Sequence, residues 1–129
     1  MSDLDIEREI VAKGLTAPRV TPQDIEANIA AAYFFTGAEA VRALGGLLSV
    51  QQHENLKNIE LLTFCVLVLK NGFTVTGESA CASPENFNAE IGRKIARENA
   101  INKVWPLMGY ELKCRLFAGK DGDRAPVVE

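Results

Sequence analysis

The stretch LLTFCVLVLKNGFTVTGESA, residues 61–80, decides the fold, because it predicts a β-hairpin. Asn71-Gly72 separates two runs rich in β-branched and aromatic residues, which is typical of a two-residue type I′ turn. That turn places Val68 opposite Val75. It also puts five large apolar side chains on one face, which we expect to pack on helices: Phe64, Val66, Val68, Phe73 and Val75.

The second face of this hairpin mixes Leu67 and Leu69 with Thr74, Thr76 and Glu78. A hairpin alone is marginally stable. The two leucines therefore suggest further strands, a covering element or a subunit partner. The predicted fold class is α+β, a β-hairpin-centred antiparallel sheet packed against two to three helices, one of them long and in the C-terminal half.

Upstream of the hairpin, the sequence predicts two helical regions. Thr21 is suited to an N-cap and Pro22 to the first helical position, so we expect a helix from there to Gly37. A second, less regular helix is predicted over residues 38–58, where Gly45-Gly46 marks either a break or a place where another backbone comes close. Residues 1–19 are charged, and we predict a weakly ordered N-terminal arm.

Downstream, SPENFNAEIGRKIAREN, residues 83–99, predicts the start of the long helix. Ser83 is suited to the N-cap and Pro84 to the first turn, and the pattern runs to Trp105 before Pro106. An apolar stripe predicts the core face: Phe87, Ile91, Ile95, Ile101 and Trp105. Gly92 and Ala96 are expected on the opposite side.

The C-terminal segment is ambiguous, because residues 107–117 fit either a strand or a helix. From Gly119 onward we expect a disordered tail. We therefore predict a single α+β domain over residues 20–118, between the arm at 1–19 and the tail at 119–129.

The net charge of −3 argues against wholesale binding to nucleic acid or to an anionic membrane, since both reward a basic surface. The N-terminus MSDLDIEREI is charged, unlike a signal peptide. The longest apolar run has nine residues, too few for a spanning helix. These features predict a cytoplasmic protein without a membrane partner.

The sequence contains no GxSxG, HExxH, Walker A or GxGxxG motif. His53 is the single histidine and would be the base for a nucleophile such as Cys81 or Ser83. The three cysteines are widely spaced without a CxxC, so we predict reduced, mostly packed thiols rather than a zinc site. We expect no catalytic residues, no metal and no cofactor.

Anion binding has more support from the residues. Arg93 and Arg97 share one helical strip, about 6 Å apart along the axis. With the free N–H groups of a helix start and the amide of Asn86, they can hold a phosphate or pyrophosphate. The alternative is that Ser83 caps the helix and each arginine pairs with a carboxylate such as Glu90. Spacing alone leaves both interpretations open.

Phe73 stands at the hairpin tip, where it either stacks on a base or packs into the core. Two further aromatic residues, Phe87 and Trp105 on the predicted long helix, are expected to pack in the core.

The chain from about Thr21 to Leu116 resembles a family of small phage proteins named for a gene 49 product and a gene 66 product of two tailed phages. Four motifs carry the resemblance: NGF at 71–73, TGES at 76–79, NFxxEIG at 86–92 and WPLxGY at 105–110. It implies a protein that works in the cytoplasm of an infected bacterium.

We associate this kind of phage protein with the Thoeris anti-defence sponges. Those proteins bind cyclic ADP-ribose isomers, and some bind cyclic dinucleotides. They sequester the signal without cleaving it and assemble as oligomers. This association predicts a non-enzymatic, homo-oligomeric counter-defence protein with a nucleotide-type ligand. By physical character, the ligand-binding candidates are Arg93, Arg97, Asn86 and Phe73.

Two other functions remain open from the sequence. One is an interaction module that inhibits a host protein without any small ligand. The other is an accessory protein associated with nucleic acid, which the acidic net charge argues against.

Overall fold

The structure, a computed structural model, describes residues 2–120. Over that range the sheet is three-stranded and antiparallel, and one long helix occupies the C-terminal part, so the predicted α+β class is confirmed. The elements are α1 (Asp3–Ala12), α2 (Pro22–Ala27), β1 (Ile29–Thr36), α3 (Gly37–Ala43), α4 (Val50–Ile59), β2 (Leu62–Leu69), β3 (Thr74–Ala80), a 3₁₀ turn (Pro84–Asn86) and α5 (Ala89–Lys120).

The described chain divides into two compact units. Residues 29–103 form one unit, which contains the sheet, and the described residues before and after them form the other. The single domain over residues 20–118 stays a prediction. The predicted tail at 119–129 lies outside the described residues except for Gly119 and Lys120, which belong to α5.

The strand order is β1-β2-β3, and the register between β2 and β3 differs from the prediction. Val68 pairs with Thr74 rather than Val75, and Leu67 pairs with Val75. The predicted register is therefore wrong by one residue. Because side chains alternate between faces, this shift moves the first strand's predicted core residues to the other side of the sheet.

The turn itself explains the shift. The Leu69 N–H donates to the carbonyl of Phe73 at 2.8 Å, so the loop has three residues rather than two. Gly72 has a φ of +89°, and no non-glycine residue of the described chain has a positive φ. A type I′ turn would need Asn71 in that region as well. The geometry is instead a type I turn followed by a glycine bulge.

The covered face of the sheet is thus the one that carries small and polar residues as well as leucines. Its buried members on β2 and β3 are Thr63, Cys65, Leu67, Leu69, Val75 and Gly77. The predicted core face is wrong for most of its residues. Phe64, Val66 and Val68 are only half-buried, and Phe73 is 55% exposed.

Helix α5 packs on that covered face through its smallest residues. Gly92, Ala96 and Ala100 are buried, whereas Ile91 and Ile95 are 55% and 44% exposed. The predicted core stripe of α5 is therefore wrong here. Gly77 lacks a side chain, so the helix backbone approaches the strand closely, and only small residues fit between them.

The helix predicted from Thr21 to Gly37 is wrong beyond Ala27. Thr21 is the N-cap as predicted, in a capping box with Asp24, but α2 has only six residues. Residues 29–36 form strand β1, which pairs with β2 and places Tyr33 opposite Val66. Aromatic and β-branched residues favour strands, and a third strand relieves the marginal stability of the hairpin.

The second helical region breaks at the glycine pair, one of the two alternatives that the sequence left open. Helix α3 ends at Ala43, Gly45 and Gly46 both have positive φ, and α4 begins at Val50. The Thr36 hydroxyl and the Glu39 carboxylate form a capping box at the start of α3.

Helix α5 continues through Pro106 to Lys120, where the sequence predicted an end near Trp105. Residues 107–117, for which the sequence left a strand and a helix open, are therefore helical. Proline removes one hydrogen bond, but Val104 is buried and Met108 and Leu112 are half-buried at four-residue spacing. None of the helices in residues 2–120 is long and apolar enough to cross a membrane.

Residues 1–19, predicted as a weakly ordered arm, contain α1. The Trp105 indole donates to the Asp3 carboxylate at 3.1 Å. Arg19 binds the Glu7 carboxylate through both terminal nitrogens. Hydrogen bonds from Arg19 lower the pKa of Glu7 below its usual range, which keeps this pair charged. How firmly the arm is held stays a prediction.

Candidate functional site

The start of α5 differs from the one on which the anion site was predicted. The helix begins at Ala89, and the Asn88 side chain caps it by accepting the N–H of Ile91 at 3.0 Å. Ser83 instead precedes the three-residue 3₁₀ turn, where it makes no side-chain cap. The N–H groups of Asn86 and Phe87 bond to carbonyls within this turn. The predicted helix start at Ser83 is therefore wrong.

Arg93 lines a small cavity of about 120 Å³ between α5, β1 and β2. We refer to it as the arginine cavity; its other lining residues are Phe34, Phe35, Thr36, Glu39, Thr63, Phe87 and Ala89. Arg93 is exposed, and within residues 2–120 it forms no ion pair. The guanidinium is thus available to an anion, in a cavity that Phe34 and Phe87 also line on this side of the sheet.

A larger cleft of about 540 Å³ lies between α3, α4 and the 3₁₀ turn. Its lining residues are Thr36, Arg42, Lys57, Glu60, Leu61, Pro84 and Phe87, and we refer to it as the α3–α4 cleft. Arg42 pairs with Glu60 at 2.6 Å across the two helices. Thr36 and Phe87 also line the arginine cavity, so the two hollows adjoin at these residues.

Arg97 has surroundings different from those of Arg93. It is half-buried and already engaged within the protein. Burial raises the pKa of the Cys65 thiol, and the positive charge of Arg97 partly opposes that rise. Arg97 therefore lies near the covered face of β2 rather than beside Arg93 in the cavity lining.

The remaining two candidates are at opposite ends of the sheet. Asn86 is exposed and adjoins Phe87, so it is near the two hollows without lining either. Phe73 pairs with Leu69, six positions along β2 from Thr63, which corresponds to about 20 Å. The structure thus places Arg93 and Asn86 at one end and Phe73 at the other, and the binding roles of all four stay predictions.

The residues that sequence reasoning missed are Arg42, Lys57 and Phe87 as lining residues. Arg42 and Lys57 belong to separate helices, so no local spacing connects them. Phe87 was predicted as core and is half-buried at the junction of the two hollows. The only available signal was its position in the NFxxEIG motif.

The nucleophile candidates are not arranged around His53. The Cys81 thiol donates to the carbonyl of Ser83 at 3.2 Å, and His53 is exposed on α4. No cluster of histidine, cysteine and carboxylate side chains suited to a metal occurs within residues 2–120.

Comparison with known proteins identifies one family. The family model described as "Phage protein (N4 Gp49/phage Sf6 gene 66) family" matches residues 20–116. No curated protein and no solved structure gives a significant match.

Proposed function

From the premise that this chain belongs to the phage N4 Gp49/Sf6 gene 66 family, we propose that it is a phage accessory protein that binds and sequesters a nucleotide-type anion. The favoured ligand is a cyclic nucleotide immune signal, such as a cyclic ADP-ribose isomer. The protein acts in the cytoplasm of the infected bacterium, as counter-defence, and leaves the ligand chemically unchanged.

The observation that carries the proposal is the junction of the two hollows at Phe87. Phe87 and Arg93 line the arginine cavity, and Phe87 lines the α3–α4 cleft together with Arg42 and Lys57. An aromatic surface among cations suits a molecule that has a base and phosphates, since bases stack on rings and phosphates accept from guanidinium groups.

The size of the α3–α4 cleft supports a small-molecule ligand. Its volume of about 540 Å³ falls in the range of roughly 300–1,000 Å³ typical of ligand pockets. The arginine cavity, at about 120 Å³, accepts a phosphate-sized group but not a whole nucleotide. A ligand body in the cleft with one anionic group beside Arg93 fits both volumes.

The charges around the hollows explain how a ligand would be held. Three cations and two carboxylates line them. The Glu39 carboxylate accepts the Thr36 N–H in the α3 capping box, and the Glu60 carboxylate accepts a hydrogen bond from Arg42. An anion that approaches Arg42 therefore competes with Glu60, whereas Arg93 has no ion-pair partner to release among the described residues. We expect Arg93 to contribute most to affinity.

Calorimetry and thermal-shift measurements with cyclic ADP-ribose isomers and cyclic dinucleotides test the proposal. We expect binding that falls at least tenfold in Arg93→Ala and less in Arg42→Ala. Lys94→Ala is the matched control, because Lys94 is on α5 but lines neither hollow. Intact ligand recovered after denaturation distinguishes sequestration from turnover. No heat and no thermal shift across the panel would refute the proposal.

A second candidate, inhibition of a host protein, is favoured by the exposed Ile91 and Ile95 on one side of α5. It predicts capture of a host partner without any small ligand. It also predicts that Arg93→Ala leaves this capture unchanged, while Ile91→Asp abolishes it.

A further inference from the structure

Strand β1 is an edge strand without the charged residues and prolines that often protect such edges. Its eight residues, IAAAYFFT, include no charged residue and no proline. Natural edge strands usually carry lysine, proline or inward-pointing charges, because an open edge offers unpaired N–H and C=O groups to another chain. The only irregularity of β1 is a register shift between Ile29 and Ala31, at its beginning.

The hydrogen-bonding phase of the sheet shows which backbone groups of β1 point outward. Leu69 bonds to Phe73, so the odd-numbered residues of β2 direct their N–H and C=O groups toward β3. The even-numbered ones face β1 and bond to its partners Tyr33 and Phe35. The N–H and C=O groups of Ala32 and Phe34 consequently point away from the sheet, and they have no partner within residues 2–120.

The other edge of the sheet is different. On β3 the outward carbonyl of Glu78 accepts a hydrogen bond from the Asn99 amide of α5 at 2.8 Å. Glu78 also places a charge on that edge. The structure therefore blocks one edge and leaves the other open.

We propose that β1 pairs antiparallel with β1 of a second copy of this chain, so that two three-stranded sheets join across a twofold axis at Tyr33. In this arrangement Ala32 and Phe34 exchange both backbone hydrogen bonds with Phe34 and Ala32 of the other copy. Tyr33 then lies opposite itself in a non-hydrogen-bonded pair, where side chains are closest.

The side chains of β1 favour a second copy as the occupant. In this register each phenylalanine of one strand faces an alanine of the other, Phe34 against Ala32 and Phe35 against Ala31. Large side chains thus meet small ones on both faces of the joined sheet. Tyr33 is 60% exposed and Ala32 is exposed, so the pairing covers surface that is open in the single chain. No charge of β1 is desolvated, since the strand has none.

This inference does not rest on the proposed ligand, because β1 pairing needs no anion. Analytical ultracentrifugation of the full chain, without ligand, is expected to show a species of twice the single-chain mass. Ala32→Pro removes an outward N–H donor and is expected to shift the protein to the single-chain mass. Thr76→Pro is the matched control, because its N–H points outward from β3, and it is expected to leave the dimer intact.

Cross-linking keeps the test informative if the proline variant misfolds. With Cys81 and Cys114 changed to serine, Tyr33→Cys is expected to form a covalent dimer on mild oxidation, while Thr76→Cys is not. A single-chain mass for the wild type at all concentrations overturns the proposal. This holds even if β1 then proves to bind a peptide of another protein. A dimer that survives folded Ala32→Pro, or a Tyr33→Cys variant that does not cross-link, overturns it as well.

Discussion

A β-carbon at Gly77 would be 2.2 Å from the carbonyl oxygen of Ala96. It would also be 2.3 Å from the backbone nitrogen of Ala100, so β3 and α5 contact through their backbones at this point. Real β-carbons do not approach backbone atoms so closely. The absence of a side chain at Gly77 therefore sets the distance between the helix and the sheet.

Gly77→Ala is expected to destabilise the protein by about 3 kcal/mol or more, because neither backbone can yield without moving the helix. Urea unfolding followed by circular dichroism measures this change. Gly109→Ala is the matched control, since Gly109 is exposed in α5 with open space around its β-carbon position. It is expected to stabilise by roughly 0.5–1 kcal/mol. Equal effects from the two changes would contradict the packing described for Gly77.

The cap of α5 gives a second prediction. Asn88→Ala removes the acceptor for the Ile91 N–H and is expected to cost about 1 kcal/mol of unfolding free energy. Asn86→Ala, in the preceding turn, is expected to cost much less, because no side-chain hydrogen bond of Asn86 caps the helix. Thermal denaturation compares the two. A larger loss for Asn86→Ala than for Asn88→Ala would contradict the cap at Asn88.

The three-residue hairpin loop gives a third prediction. Lys70 occupies the second position of a type I turn, where proline is favoured, so Lys70→Pro is expected to be neutral or slightly stabilising. Gly72→Ala is expected to cost about 1 kcal/mol, because Gly72 has a φ of +89°. Chemical denaturation of both variants checks the turn. Strong destabilisation by Lys70→Pro would instead indicate that Lys70 belongs to the strand.

The Arg19–Glu7 pair predicts a dependence on acid. Hydrogen bonds from Arg19 lower the folded-state pKa of Glu7. The pair therefore stabilises the folded protein fully at a pH above the unfolded-state pKa of the carboxyl. That stabilisation is lost as the pH falls through the lowered folded pKa. Carboxyl NMR titration of Glu7 is expected to show a midpoint that rises in Arg19→Gln. An unchanged midpoint would mean that the pair does not form in solution.

Local sequence signals predicted the parts of the fold that depend on near neighbours. Thr21 is the N-cap of α2 as predicted, and the glycine pair at 45–46 separates two helices. Glu90 and Lys94 have the i,i+4 spacing that favours an ion pair on a helix, and Lys94 binds Glu90 at 3.2 Å. Each of these features rests on residues at most four positions apart, so the physical interactions are visible in the sequence itself.

Features that depend on distant residues were predicted less well. The sequence predicts a helix over β1, where Ile25, Ile29 and Tyr33 also recur at helical spacing, and only pairing with β2 favours the extended form. The candidate site shows the same limit. Arg93 was identified on its helix, but Arg42 and Lys57 come near Phe87 only through the packing of α3 and α4.

The sequence by itself determined that residues 61–80 form a hairpin, that a long helix follows, and that the chain has the motifs of its phage family. Which faces meet was decided only by the tertiary structure. Periodicity separates two faces of a strand or helix, but here both faces of β2 are apolar. The close backbone approach at Gly77 selects the face that bears small residues, and the larger apolar side chains are left on the outside.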